Sequence, residues 1–251
     1  MRPEPALLLL GVLLLAGCAG AGVRQASTGN QEAAKLQVKM GQEYLTKGDL
    51  ETAQEKLRRA IELDPKSADA YTLLAVLNER IQRPEAAEQN YRRAVELRPD
   101  DGAVNNNYGA FLCGSGRYAE ADKHFQKAIQ DPFYKTPALA FANAGVCARK
   151  AGRLELAEQH FRRALELDKR NPTALFELAQ ISHSRGNYLQ ARAFIERYDP
   201  SGRHDPDALL LAARIEDKLG DLRAAAQYRE QLSRQYPDYA VSEDQQPNKT
   251  P

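Results

Sequence analysis

Residues 40–65 read MGQEYLTKGDLETAQEKLRRAIELDP. Small residues stand at Gly41, Ala53 and Ala60, bulky ones at Tyr44 and Leu57, with Gly48 between and Pro65 at the end. On each side of Gly48 the apolar positions recur at helical spacing, so the stretch predicts two amphipathic helices joined by a tight turn. A small residue in each helix lets the two axes cross closely, and the bulky residue one turn on fills the hole beside them. Pro65 ends the second helix because it has no amide hydrogen to give.

Working outward, the same pattern returns. Ala53, Ala87, Ala121, Ala157, Ala191 and Ala225 are separated by 34, 34, 36, 34 and 34 residues. Turn glycines keep the period at Gly48, Gly116, Gly152, Gly186 and Gly220, with Gln82 in the one exceptional place. Leu57, Tyr91, Phe125, Phe161, Ile195 and Arg229 follow the alanines by four residues. A second small slot recurs at Gly41, Ala75, Gly109, Gly145, Ala179 and Ala213. The unit resembles the tetratricopeptide repeat, a helix–turn–helix of this period. Six copies are expected, near 34–67, 68–101, 102–137, 138–171, 172–205 and 206–239. The resemblance implies an all-α, right-handed superhelical solenoid in which each unit buries its apolar side only against its neighbours. First helices would line the concave face and second helices the convex back. Arg229 suits a terminal unit with a solvated face, and Tyr198-Asp199-Pro200 ends the fifth unit's second helix early. The tail, 240–251, is polar and expected to be disordered.

Composition excludes several classes. Lys and Arg number 35 against 34 Asp and Glu, so there is no basic field to hold nucleic acid. The chain lacks Trp and is rich in Ala, which suits thin, closely packed helices rather than a large β core. The apolar run from Ala6 to Ala16 is too short to span a bilayer as a helix.

That run instead reads as a signal peptide. It ends in Leu15-Ala16-Gly17-Cys18, which resembles the lipobox of bacterial lipoproteins. The resemblance implies cleavage after residue 17, a diacylglyceryl group on the Cys18 thiol and an acyl chain on the new amine. Several chains give a durable anchor where one binds only marginally. Residue 19 is Ala and not Asp, which in that family favours the outer membrane. Residues 18–33 would then be a lipidated, flexible tether, with the body in the periplasm.

No catalytic constellation or cofactor motif is present, so neither an enzyme nor a small-molecule substrate is expected. His124 and His160 occupy the same place in units three and four, which is a property of the repeat and not of a metal site. Cys113 and Cys147 fall in the first helices of those neighbouring units, offset by about two residues, only a few ångströms at the helical rise. In an oxidising compartment they are expected to pair; the alternative is two small buried thiols.

Function is expected on the concave face. The carboxylate clamp of some tetratricopeptide proteins is absent, since its first-unit slots hold Val38 and Gln42. Candidate groove residues are Val38, Leu45, Val76, Asn106, Ala110, Leu139, Ala142, Val146 and Phe176, with Arg149 and Lys150 nearby. The mixture suits an amphipathic or apolar segment, although each residue could instead serve helix packing. Asn105-Asn106-Asn107 could bond an extended backbone, while a helix start accounts equally well for Asn105. The two-residue insertion, within Gln130-Asp131-Pro132-Phe133-Tyr134-Lys135-Thr136-Pro137, is either a second contact or a spacer with its rings packed inward.

The lipobox, the six repeats, the segment from Asn105 to Cys113, Gly116-Arg117-Tyr118-x-x-Ala121 and the cysteine pair together are similar to the type IV pilus biogenesis lipoproteins, the pilotin (PilF/PilW) group. That resemblance implies escorting the secretin subunit to the outer membrane and promoting its multimerisation. A lipoprotein scaffold for cell-wall hydrolases is the alternative.

Overall fold

The computed structural model describes residues 19–198 and 205–239, with side chains from residue 28. Among these residues all regular structure is helical, and twelve helices of eleven residues or more follow one another, with a short helical stretch at 237–239 after them: α1 (Ala19–Lys47), α2 (Leu50–Leu63), α3 (Ala68–Arg80), α4 (Pro84–Leu97), α5 (Gly102–Gly114), α6 (Tyr118–Gln130), α7 (Pro137–Lys150), α8 (Leu154–Leu167), α9 (Pro172–Ser184), α10 (Tyr188–Tyr198), α11 (Pro206–Leu219) and α12 (Leu222–Gln235). They pair as α1 with α2, α3 with α4, and so on to α11 with α12, giving the expected six hairpins.

The hairpins form two compact bodies, α1–α4 and α5–α12. In the first, Leu45, Ala53, Leu57, Leu74 and Leu77 make the core. In the second, first helices pack side by side, α5 on α7, α7 on α9 and α9 on α11. Its largest cluster includes Phe161, Leu175, Leu178, Ile195 and Ile215.

The small-residue slots act as the spacing requires. A Cβ added to Gly41 would sit 2.7 Å from Leu57 Cδ2, and one on Gly109 would sit 2.9 Å from Phe125 Cε1. No side chain fits at such separations, so glycine sets how closely the two helices of a hairpin approach. The six hairpin turns all pass through a left-handed residue: five glycines, and Gln82 at φ 57°. Starts are capped where the sequence allows, as by Asp49 on the Thr52 amide (3.1 Å) and Asp101 on the Val104 amide (3.0 Å).

Two expectations change. Helix α1 begins at Ala19, so residues 19–33, read above as a flexible tether, are helical from that point. The stretch contains no Pro, so Gly20, Gly22 and Gly29 weaken the helix without breaking it, and it runs about four turns back from Ala34. The start of α5 is capped by Asp101, not by Asn105, which lies a turn inside the helix. Helix α10 is described as far as Tyr198, whose hydroxyl donates to Asp205; the break expected at Asp199-Pro200 lies outside the described residues. Arg229 is exposed and pairs with Asp217. Cys18 and the tail 240–251 lie outside the described residues.

Candidate functional site

The row of first helices in the second body carries most of the expected groove residues. Cys113 of α5 and Cys147 of α7 form a disulfide, with Cα atoms 5.6 Å apart. One turn before Cys147, the Asn143 amide of α7 donates to Oδ1 of Asn106, two turns before Cys113 on α5, at 3.0 Å. On the other flank Arg149 of α7 pairs with Glu177 of α9 at 2.6 Å. Burial pushes the Glu177 carboxyl up, and Arg149 opposes the shift without cancelling it. A covalent bond, an amide pair and an ion pair therefore tie three consecutive first helices together.

The candidate residues divide by access. Ala110 and Leu139 are exposed, and Val146 and Phe176 are half-buried against the core cluster. These four offer an apolar surface on α5, α7 and α9. In the first body, Val38 and Val76 are half-buried. Leu45 and Ala142 are corrections: both are buried in their cores, Leu45 beside Leu57 and Ala142 within the Phe161 cluster. A helix that packs on its hairpin partner and on the next first helix has a narrow free face, and those two positions fall outside it. Asn106 is also buried, and its Oδ1 is already engaged by Asn143.

Asn105 serves structure. It is fully buried, and its amide donates to the Pro99 and Asp101 carbonyls at 2.8 and 2.9 Å. Both amide hydrogens are thus used, so its Oδ1 accepts from His124 Nδ1–H, 2.9 Å away on α6. The His124 ring also lies 4.6 Å from that of Tyr108. His160 is buried beside Phe141. Burial pushes both imidazoles below the ordinary histidine range. No group of His, Cys, Asp and Glu suited to a metal ion occurs among the described residues, and no described helix is long and apolar enough to cross a membrane.

The insertion splits its two rings. Tyr134 turns inward and covers Gly102, where an added Cβ would meet it at 2.6 Å. Phe133 turns outward and is 88% exposed. A loop has no periodicity to say which ring faces in, so nothing in the sequence separates the two.

Comparison with known proteins agrees with this architecture. Matches to the tetratricopeptide repeat family cover residues 38–102, 100–170, 148–215 and 207–239. The type IV pilus assembly protein PilF of Pseudomonas aeruginosa is 32% identical over 240 residues, 94% of this chain and 95% of that one. A solved structure of P. aeruginosa PilF superposes with a TM-score of 0.79 at 32% identity, covering 86% of this chain and 98% of the other. The crystal structure of PilW, described as a widely conserved type IV pilus biogenesis factor, gives 0.75 at 31% identity, covering 83% and 97%. With repeats, fold and end-to-end similarity in agreement, the chain belongs to the PilF/PilW family of tetratricopeptide-repeat proteins of type IV pilus biogenesis.

Proposed function

We propose that this protein is a pilotin: an outer-membrane lipoprotein that binds the secretin subunit of the type IV pilus pore and promotes its localisation and multimerisation. The observation that carries the reading is the end-to-end similarity to PilF in a chain whose start also holds Leu15-Ala16-Gly17-Cys18. In this reading Cys18 carries the diacylglyceryl group and the N-acyl chain. The lipid supplies the address, and the body, held in the periplasm, supplies the grip.

The surface of Ala110, Leu139, Val146 and Phe176 suits an apolar or amphipathic segment of the secretin. Its helices are cross-tied, so it pays little ordering entropy on binding. A purified chain of residues 19–251 should bind the secretin subunit, and Ala110→Arg should weaken binding at least tenfold with unchanged helicity. The exposed position of Ala110 keeps that substitution out of the core. An unaltered chain that fails to bind the subunit overturns the proposal.

A further inference from the structure

The insertion between α6 and α7 is the one place where the repeat period breaks, and it spends its extra length on displaying a ring. Phe133 is held out by a braced turn. Asp131 accepts from the Phe133 amide at 2.9 Å with one carboxylate oxygen and from the Gly102 amide at 2.7 Å with the other. The Tyr134 amide donates back to the Asp131 carbonyl at 3.2 Å, and the Tyr134 ring is wedged over Gly102. Pro132 and Pro137 stiffen the two ends. The backbone that carries the ring is braced, so covering it orders only the two side-chain torsions of Phe133, a small cost that suits an interface anchor.

Beside this loop lies a depression of about 370 Å³, lined by Lys135 to Leu139 and by Leu167, Asp168 and Asn171. Its apolar part is supplied by Leu139 and Leu167, 44% and 48% exposed. Its edge is cationic: Lys135 on one side, and Lys169 and Arg170 in the turn that opposes it, all exposed. Asp168 is the one acid lining it, and one of its oxygens is occupied by the Arg170 amide at 3.0 Å. Asp131 is likewise committed to its own loop.

We propose that Phe133 and the Leu139/Leu167 depression form a second docking surface, at the edge of the first-helix row and sharing Leu139 with it, for a protein segment that pairs an apolar or aromatic residue with flanking Asp or Glu. Charge selects the occupant. A second copy docked face to face would set Lys135, Lys169 and Arg170 against their own kind. An anionic membrane could use the ring and the three cations, but a flat surface leaves the leucines that line the depression uncovered. An acidic, apolar segment satisfies the ring, the leucines and the cations together. Only Leu139 is shared with the surface assigned to the secretin, and the test rests on Phe133, which is not.

The test is an array of random peptides probed with the 19–251 chain and with its Phe133→Ser variant. Phe133 touches no core residue, so the variant should keep the helicity and melting curve of the parent. Peptides that bind the parent and lose at least tenfold with the variant should be enriched in an aromatic or aliphatic residue next to Asp or Glu. Those peptides should also weaken with added salt, and with Lys135→Glu. Identical peptide sets for parent and variant overturn the proposal, as does a Phe133-dependent set that is basic or without charge preference. So does Phe133-dependent dimerisation in sedimentation, or Phe133-dependent binding to phosphatidylglycerol vesicles in preference to every peptide.

Discussion

Gly145 of α7 gives Phe161 of α8 the room that a side chain would take. A Cβ on Gly145 would lie 2.5 Å from the Phe161 ring, and that ring is fully buried within the core of the second body. The ring has nowhere to retreat, so Gly145→Ala should destabilise the protein by about 1–2 kcal/mol, overpacking outweighing the gain in helix propensity. Gly114, at the end of α5, has nothing within 4 Å of its added Cβ and no left-handed φ. Gly114→Ala should therefore stabilise by about 0.5–1 kcal/mol. Urea unfolding of both variants checks the contrast; equal signs would remove the packing argument.

Gln82 holds the left-handed turn that glycine holds in the other five hairpins, at φ 57°. A residue with a Cβ pays about 1–2 kcal/mol for that conformation, and glycine loses roughly half of the gain to its freer unfolded chain. Gln82→Gly should raise stability by about 0.5–1 kcal/mol, seen as a melting point higher by a few degrees. A lower melting point would show that the Gln82 side chain makes a contact worth more than the strain.

The Cys113–Cys147 bond closes a loop of 34 residues inside the second body. Chain-entropy reasoning gives such a crosslink about 3–4 kcal/mol. Dithiothreitol should lower the urea midpoint of the 19–251 chain and leave that of a Cys113→Ala/Cys147→Ala variant unchanged. A thiol titration on the unfolded, unreduced chain should count none; two thiols would mean that the bridge does not form.

Acid should weaken the fold in the histidine range. Burial lowers the imidazoles of His124, His160 and His183 from 6.5. The folded chain therefore prefers them neutral. Their contribution is complete above the unfolded value and is lost as pH falls through the folded ones. His160 faces Asp122 and Arg153; His124 faces Lys127, Glu120 and Arg117; His183 faces Arg214 and Lys218. Glu79 and Glu177, raised by burial, act in the opposite sense as pH falls through their own values. The urea midpoint should drop between pH 7.5 and 5.5, and drop less in His160→Gln. The same drop in both proteins would place the acid sensitivity elsewhere.

The fold was legible because close helix crossing leaves a periodic trace. Gly41 with Leu57, Gly109 with Phe125 and Gly145 with Phe161 are pairs that the spacing already joins, and they touch in the structure. Even the odd turn at Gln82 was visible as a gap in the glycines. The site was less legible. Leu45 and Ala142 fall one helical step from the free face, and the period alone does not separate that step from the core. The directions of Phe133 and Tyr134 depend on Asp131 bonding both its own loop and α5, a contact between residues 29 apart that no local pattern announces.

The central claim is the escort of a secretin, and its most direct test is the state of that secretin in cells. The gene is deleted, then restored intact or as Cys18→Ala, and secretin multimers are followed in outer-membrane fractions. The account predicts that multimers vanish on deletion and return only with the intact chain. Multimers that form normally at the outer membrane without the protein would contradict it.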